Sequence, residues 1–204
     1  MNVLHVDSSI LGENSVSRAV SAAVVARLRA SHPDSRVTYR DVAADPLPYL
    51  TAPLAFTLGK PADQVPAAIS ADAAALRAVL EEVLAADVIV VGAPMYNFGI
   101  PSQLKTWLDA LAVVGVTFRY SSTGAEGLLG SKRLVIASSQ GGFYRAGTPT
   151  AGFEHQESHL RSFFAFLGVK NIQAVRAEGT KVSAGADDHG LPVALQQAAA
   201  LSFA

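Results

Sequence analysis

The sequence predicts a doubly wound parallel α/β sheet, and three observations support this fold class. Segments with strand-like and helix-like patterns alternate about five times along the 204 residues. Residues 88–91 are all β-branched and apolar, which is typical of a central parallel strand buried on both faces. The chain contains no repeat, low-complexity tract or clear linker. Residues 1–204 are therefore predicted to form a single domain.

The same patterns place the elements along the chain. Gly92 and Pro94 are expected to end the third strand, and Pro101 to open a helix, because the missing N–H has no intrahelical acceptor at that position. Loops are predicted at residues 43–66 (with one helical turn at most), 121–130 and 143–152, and residues 115–120 are short and β-prone. Strands are predicted at residues 3–6, 36–42, 88–91, 133–138 and 171–177, and helices at 16–30, 67–86, after Pro101, at 153–167 and from about Asp187.

Composition excludes several classes of partner. The formal net charge is −1, which argues against nucleic acid or an anionic membrane as the main partner. No apolar run reaches the roughly 18 residues that a membrane span needs. The chain has no cysteine, and therefore no disulfide, thiolate nucleophile or zinc–thiolate site. The N-terminus reads directly as a strand without a basic leader, so we expect a cytoplasmic protein.

The loop after the first strand is rich in hydroxyl groups. Ser8, Ser9, Ser15 and Ser17 lie just before the first predicted helix, with Asn14 beside them. Hydroxyls and backbone N–H groups at a helix start can cradle a phosphate, although Asn14 or Ser15 could equally serve only as the helix cap. The dinucleotide fingerprint G-x-G-x-x-G is absent here, which argues against a Rossmann-type NAD site but leaves a mononucleotide site open.

Two further loops follow predicted strands and carry unusual residues. The loop after the third strand carries large side chains suited to ligand contacts, namely those of Met95, Tyr96, Asn97 and Phe98. An ordinary connecting loop favours small polar residues instead. Loops at the carboxyl ends of parallel strands bind ligands in open α/β sheets, so a flat, partly polar ligand is expected. The glycines after Ser139 and Gln140 would let the backbone approach a planar ligand closely, or would simply make a tight turn. The three loops should converge on one pocket.

These segments together resemble the FMN-dependent NADH:quinone oxidoreductase and azoreductase family. The resemblance rests on five motifs and extends from the first strand to about Gly179. The motifs are Ser8-Ser9 with Ser15-Val16-Ser17, Pro94-Met95-Tyr96-Asn97-Phe98, Gln103-Leu104-Lys105, Gly115-Val116-Thr117-Phe118-Arg119-Tyr120 and Ser139-x-Gly141-Gly142. The resemblance implies a flavodoxin-like three-layer sandwich with a five-stranded parallel sheet of order 2-1-3-4-5 and helices on both faces. It also implies non-covalent FMN and a homodimer with both active sites at the subunit interface.

The resemblance also assigns roles to residues. Ser9, Ser15, Val16 and Ser17 would hold the FMN phosphate; Met95, Tyr96, Asn97 and Phe98 would line the ribityl chain and isoalloxazine; Ser139, Gln140, Gly141 and Gly142 would close over the pyrimidine side. Family members often have arginine where Gln140 stands and a polar residue where Gly99 stands. These departures leave the choice between NADH and NADPH open.

The implied activity is two-electron reduction of quinones and reductive cleavage of aromatic azo compounds, with NADH as electron donor. Donor and acceptor would use one apolar slot in turn, walled by Phe98, Phe118 and Tyr120, in a ping-pong cycle. The flavin would supply the chemistry, so no catalytic side chain is named. The alternatives are a flavodoxin-type electron carrier, which would be expected to be strongly acidic, and an NADPH-preferring flavin reductase.

Three other motifs in the sequence are incomplete. Residues 137–141 come within one residue of the G-x-S-x-G nucleophile elbow, and Asp187, Asp188 and His189 follow in hydrolase order, but no helix is predicted directly after the elbow. His155 and His159 have a helical spacing that can bind metal, yet no third ligand is evident, so no metal site is predicted. Lys132 follows Ser131, the reverse of the P-loop order. His5 is predicted to be a packed core residue, and Trp107 to lie in the core or at a dimer interface.

Overall fold

The computed structural model describes residues 1–182 and 189–203, and its central feature is a parallel sheet of five strands. The strands lie in the order β2-β1-β3-β6-β7, which is the predicted 2-1-3-4-5 order once the strands of a separate hairpin are left out of the count. The predicted fold class is therefore confirmed. The sheet contains β1 (Asn2–Asp7), β2 (Arg36–Asp41), β3 (Val88–Pro94), β6 (Arg133–Ser139) and β7 (Asn171–Ala177), and the hairpin contains β4 (Phe118–Ser121) and β5 (Gly124–Gly127).

Helices cover both faces of the sheet because its strands are apolar on both sides. One core cluster joins the sheet to α1 and α6, and the other joins it to α3, α4 and α5. Trp107 is fully buried, 6.2 Å from the ring of Phe164, and His5 is buried within β1, so both predictions of core positions are confirmed. The helices are α1 (Val16–Ser31), α2 (Ala52–Ala55), α3 (Ser70–Ala85), α4 (Ser102–Asp109), α5 (Glu157–Phe166) and α6 (Gly190–Ala200).

The third strand ends at Pro94 as predicted, but the prediction that Gly92 also stops it is wrong. β3 continues to Pro94 because β6 pairs with it there, in the register Gly92↔Ala137 and Pro94↔Ser139. Gly92 has a different role. A Cβ at this position would lie 2.1 Å from Oδ1 of Asp7, so glycine makes room for a buried carboxylate on β1.

The loop predicted at residues 121–130 contains a strand. β5 pairs with β4 in antiparallel fashion, from Phe118↔Gly127 to Ser121↔Gly124. A Cβ at Gly127 would lie 2.1 Å from the backbone of Leu167 and Gly168. The glycine there reflects close packing against the end of α5 rather than an open loop.

Helix boundaries also differ from the prediction. α5 begins at Glu157 rather than 153, because the Glu154 carboxylate accepts the N–H groups of residues 156, 157 and 158 at 2.9, 2.6 and 3.0 Å. α2 supplies the single helical turn expected within residues 43–66, which also contain a short 3-10 turn. The last helix begins at Gly190; Asp187, where it was predicted to start, lies outside the described residues. Among those described, no helix is long and apolar enough to cross a membrane.

Candidate functional site

Loops from three neighbouring strands meet at the carboxyl edge of the sheet. The Tyr96 hydroxyl lies 3.3 Å from Oγ of Ser9 and accepts the N–H of Ile10 at 3.2 Å. The Met95 N–H donates to the carbonyl of Ser139 at 2.8 Å. The loops after β1, β3 and β6 are therefore directly bonded to one another, and the predicted convergence is confirmed. This is the edge at which open α/β sheets bind ligands.

The hydroxyl-rich loop both caps a helix and lines this edge. Oγ of Ser15 accepts the N–H of Arg18 at 3.3 Å, which is an N-cap contact, and lies 3.1 Å from Oγ of Ser17. Ser9, Ser15 and Ser17 are buried, and Val16 is half-buried as the first residue of α1. The loop thus brings hydroxyls to the N-terminus of a long helix, where backbone N–H groups and the helix dipole favour an anion.

Arg18 holds this loop from behind. Its guanidinium donates to the carbonyl of Ser9 at 2.8 Å and to the Tyr39 hydroxyl at 2.8 Å, and it forms an ion pair with Asp41 at 2.7 Å. Burial is the largest single influence on the pKa of Asp41 and raises it, but the hydrogen bonds from Arg18 and from the backbone N–H groups of Ala44 and Ala43, with the charge of Arg18, together outweigh burial and lower the pKa. The arginine is therefore committed to protein partners and supports the loop indirectly.

A polar network lies beneath the same loop. Oγ of Ser21 donates to Oδ1 of the buried Asp7 at 2.8 Å and lies 2.9 Å from Nε2 of His5. The Tyr39 hydroxyl donates to Oδ2 of Asp7 at 3.1 Å. Burial and the nearby Asp7 carboxylate raise the pKa of Tyr39 to about 12, so this hydroxyl stays a donor at neutral pH. The network braces β1, β2 and α1 against one another behind the site.

The loop after β3 is a tight two-residue turn with an unusual backbone. The N–H of Tyr96 donates to the carbonyl of Gly99 at 3.0 Å, and the reverse bond measures 3.1 Å. Asn97 and Phe98 between them have φ values of 48° and 72°. A left-handed conformation is ordinary for asparagine but strained for phenylalanine. The turn thereby presents both side chains at the edge of the sheet.

The loop after β6 offers two backbone donors. Carbonyls of Gly141 and Gly142 accept the N–H groups of Lys181 and Gly179 at 3.0 and 2.9 Å. The N–H groups of the same two glycines make no hydrogen bond within residues 1–182 and 189–203. Adjacent free donors next to a hydroxyl-rich loop fit a flat ligand with carbonyl oxygens at one end and a phosphate at the other. An FMN molecule has this arrangement.

Sequence reasoning missed Gln156, which holds the loop after β6 in place. This buried side chain accepts hydrogen bonds from Oγ of Ser138 at 3.0 Å and Nε2 of Gln140 at 2.9 Å, and donates to the carbonyl of Ala93 at 2.5 Å. The Gln140 side chain is therefore turned into the protein. No motif marks Gln156, because its role depends on three segments distant in sequence.

The aromatic residues divide into two groups. Phe98 stacks on Phe153 at 5.0 Å and lies 6.1 Å from Tyr144, so these three form the aromatic wall in one chain. Tyr144 and Phe153 were missed, although aromatic residues in a glycine- and proline-containing loop were a usable signal. Phe118 and Tyr120 pack together on the hairpin, and Phe118 also contacts Phe166 at the far end of α5. Ten residues of helix span about 15 Å, so the two groups do not meet within one chain.

The structure does not provide the surroundings that the hydrolase, metal-binding and P-loop motifs would need. α5 begins only at Glu157, well after Ser139, so no helix follows the elbow-like segment, and Asp187 and Asp188 lie outside the described residues. His155 precedes α5, so the predicted helical spacing with His159 is wrong. Nζ of Lys132 donates to the carbonyls of Leu84 and Ala86 at 2.7 and 2.6 Å and caps α3.

The fold and this edge together define a flavodoxin-like protein with a site for a flat, phosphorylated ligand. The family model of the flavodoxin-like fold matches residues 1–201. An FMN-dependent NADH:quinone oxidoreductase of Methylorubrum extorquens is 50% identical over 204 residues, 100% of both chains. One of Rhizobium meliloti is 51% identical over 181 residues, 88% of this chain and 86% of the relative. The structure of azoreductase from Bacillus anthracis is 30% identical with a TM-score of 0.87, covering 98% of this chain and 97% of the other. The chain belongs to the family of FMN-dependent NADH:quinone oxidoreductases with a flavodoxin-like fold.

Proposed function

We propose that the chain is an FMN-dependent oxidoreductase that uses NADH to reduce quinones by two electrons and to cleave aromatic azo compounds. The observation that carries this proposal is the junction of three loops through Tyr96, Ser9 and Ser139 at one edge of the sheet. Relatives of that name are half identical to the chain over its whole length. FMN, when bound, supplies the redox chemistry, and the protein supplies position and electrostatics.

Each loop has a distinct task in the proposal. The start of α1 would hold the FMN phosphate through hydroxyls, backbone N–H groups and the helix dipole, without a free cation. The free N–H groups after β6 would bind the pyrimidine end and stabilise negative charge that develops there. The residues involved are Ser9, Ser15, Val16 and Ser17 for the phosphate, Met95, Tyr96, Asn97 and Phe98 for the ribityl chain and ring, and Ser139, Gly141 and Gly142 for the pyrimidine side. Gln140, which was also predicted for the pyrimidine side, would act only by fixing this loop, because its side chain and backbone bond to Gln156, Ala177 and Thr180.

The aromatic wall would define a slot that donor and acceptor occupy in turn. Phe98 and Phe153 are 43% and 51% exposed, so a planar quinone or nicotinamide would cover apolar surface on entering. One shared slot requires that NADH and quinone compete. Steady-state rates at several fixed quinone concentrations should give parallel double-reciprocal lines, and intersecting lines would contradict the shared slot.

A homodimer with interface active sites is part of the proposal. The predicted substrate wall is divided by the structure: Phe118 is 6% exposed and packs in the core of its own chain, so it does not line a surface slot. Tyr120 lies at the other end of α5 from the aromatic wall, so it can wall a slot only in a second subunit. Tyr120 is 73% exposed and Val114 is 60% exposed, and exposed apolar groups of this kind favour contact with another chain. A cytoplasmic location, where NADH is available, completes the proposal.

The decisive experiment begins with the colour of the purified protein. We expect a yellow protein that releases FMN on denaturation, loses its colour with NADH and recovers it with a quinone. A colourless protein that does not bind added FMN would contradict the proposal. A flavodoxin-type carrier would bind FMN but would not be reduced directly by NADH, and the net charge of −1 already argues against this alternative.

A further inference from the structure

A cavity of about 470 Å³ opens next to the proposed flavin loops and has no role in the function described so far. Gln140 and Tyr144 are among the residues that line it. Gln140 belongs to the loop after β6, and the ring of Tyr144 lies 6.1 Å from that of Phe98. Since Arg176 and Glu178 also line it, the cavity lies between the aromatic wall and the carboxyl end of β7. Its volume lies within the range of small-molecule sites, roughly 300–1,000 Å³.

Arginine side chains supply hydrogen-bond donors to this cavity. Arg161 and Arg176 share a single buried carboxylate, since Nε of Arg161 and Nε and Nη2 of Arg176 lie 2.5 to 2.6 Å from the Glu157 oxygens. Nη2 of Arg161 and Nη1 of Arg176 donate no hydrogen bond within the part of the chain described. Arg145 lies on the cavity wall with its side chain 66% exposed. Guanidinium groups with unused N–H donors are the usual partners of phosphate oxygens.

The carboxylates of the cavity are unequal. Those of Glu154 and Glu157 are engaged, the first at the start of α5 and the second between two arginines. Glu178 is different: its Oε1 is buried and has no hydrogen-bond partner among the described residues, while Oε2 lies 3.4 Å from Nη1 of Arg145. Because Oε1 has no exposed surface, a ligand in the cavity would meet this carboxylate at Oε2, whose hydrogen bond from Arg145 is long at 3.4 Å and leaves room for a further donor. A ribose hydroxyl is such a donor, and a carboxylate beside the 2′ position accepts a hydroxyl but repels a phosphate.

We propose that this cavity binds the adenosine–diphosphate half of the dinucleotide donor, with Arg145 contacting the phosphates and Glu178 accepting a hydrogen bond from the adenosine ribose. The inference rests on the proposed function, because it requires the nicotinamide to lie at the aromatic wall. It also assigns a preference: Glu178 makes NADH the better donor and disfavours the 2′-phosphate of NADPH.

The test compares NADH with reduced nicotinamide mononucleotide, which carries the nicotinamide but lacks the adenosine half. Arg145→Ala should raise KM for NADH about tenfold, the equivalent of one charge-assisted hydrogen bond. KM for the mononucleotide and kcat with NADH should change less than about twofold, within the usual effect of a remote surface substitution. Arg29→Ala, an equal loss of charge on the exposed last turn of α1, is the matched control and should leave all three values unchanged.

Glu178→Gln tests the assigned preference in the same assay. The variant should raise KM for NADH and lower KM for NADPH, and leave KM for the mononucleotide unchanged. Circular dichroism and FMN content establish that each variant is folded and loaded. If the substitutions changed KM equally for NADH and the mononucleotide, or changed neither value, the inference would be wrong. The proposed function would still stand in that case, provided that NADH reduced the bound flavin. If neither donor reduced the wild-type flavin, both would fall.

Discussion

At Phe98 the backbone has a φ of 72°, a conformation in which a bulky side chain is strained. The neighbouring Asn97, with a φ of 48°, tolerates it better. Such strain persists only where the surroundings enforce it, and here two hydrogen bonds between Tyr96 and Gly99 close the turn. The aromatic ring is thereby presented at the slot at some expense in stability.

Replacing Phe98 by glycine should separate these two effects. Phe98→Gly relieves the strained backbone but also removes the ring contacts with Phe153 and Tyr144. The FMN-free Phe98→Gly variant should therefore have a free energy of unfolding about 0.5–1 kcal/mol above that of Phe98→Leu, which loses the same ring contacts. KM for quinones should rise because the aromatic wall is lost. Urea denaturation and steady-state kinetics measure the two quantities. Phe98→Leu is the matched control: it keeps the strain, so it should not be stabilised, and equal stabilities of the two variants would contradict the argument.

Arg18 should matter for FMN binding although it would not touch the cofactor. Its guanidinium joins the carbonyl of Ser9 to Asp41 behind the hydroxyl-rich loop after β1, where we propose that the phosphate binds. Arg18→Ala leaves these groups unpaired and frees the loop, so we expect the Kd for FMN to rise about tenfold, or roughly 1.4 kcal/mol. Fluorescence titration of the FMN-free protein measures this Kd.

Two further variants serve as controls for that experiment. Arg18→Lys keeps the charge but not the forked geometry, and should restore binding only in part. Arg29→Ala removes an exposed charge from the end of the same helix and should have no effect on FMN binding. An unchanged Kd for Arg18→Ala would show that the loop holds its shape without the arginine.

At the scale of elements, α5 is fixed at its first turn by acidic residues. The Glu154 carboxylate caps the helix, and the Glu157 carboxylate joins Arg161 on α5 to Arg176 on β7. Burial alone would raise the pKa of Glu157, but the hydrogen bonds from Arg176 and Arg161 outweigh it and lower the pKa. The ionised form therefore stabilises the contact between this helix and the edge strand.

This contact predicts a pH dependence of stability. Because the folded-state pKa of Glu157 is depressed, its stabilisation is fully present above the unfolded value of about 4.3 and is lost as the pH falls through the folded value. Glu157→Gln should lower the free energy of unfolding at pH 7 by about 1–3 kcal/mol, since both arginines are partly exposed. The difference in the free energy of unfolding between this variant and the wild type should become smaller below about pH 4.

Urea denaturation at pH 7, 5 and 3 provides the measurement. Asp109→Asn, which breaks the surface pair with Lys105, is the control and should change stability little at any of these values. A gap between wild type and Glu157→Gln that stayed constant down to pH 3 would show that the carboxylate charge does not stabilise the fold.

At the scale of the whole molecule, the hairpin of β4 and β5 lies at the opposite end of α5 from the flavin loops. Gly127 packs directly against the backbone of Leu167 and Gly168, so the hairpin is held to its own chain there. Its outer side chains, Tyr120 above all, remain exposed. A role for Tyr120 in a substrate slot would therefore require a second subunit.

Tyr120→Ala tests this arrangement. FMN content should stay unchanged, because the flavin loops belong to the same chain as the cofactor, whereas KM for quinones should rise severalfold, by about 1 kcal/mol of lost aromatic contact. Tyr49→Ala, at another highly exposed tyrosine, is the control. Light scattering should give twice the mass of one chain for the wild type. A monomer with full activity would contradict the interface site.

The order of the elements and the polarity of the loops were determined by the sequence itself. Apolar runs such as residues 88–91 predict buried parallel strands, and the chain's alternation of strand and helix brings the loops after β1, β3 and β6 to one edge. Hydroxyl, aromatic and glycine residues in those loops predict a flat, phosphorylated ligand. The identification of that ligand as FMN came from the family resemblance, because the physics of single loops does not distinguish between planar ligands.

The orientation of side chains at the site follows only from the tertiary structure. Gln140 turns inward because Gln156, from a distant segment, accepts a hydrogen bond from its side-chain amide. Arg18 turns away from the hydroxyl-rich loop after β1 because its partners, Asp41 and Tyr39, lie behind that loop. Gly92 and Gly127 are required by the close approach of Asp7 and Leu167, which no local pattern reveals. These choices depend on contacts between residues far apart in the chain, and a local pattern contains no information about distances across the fold.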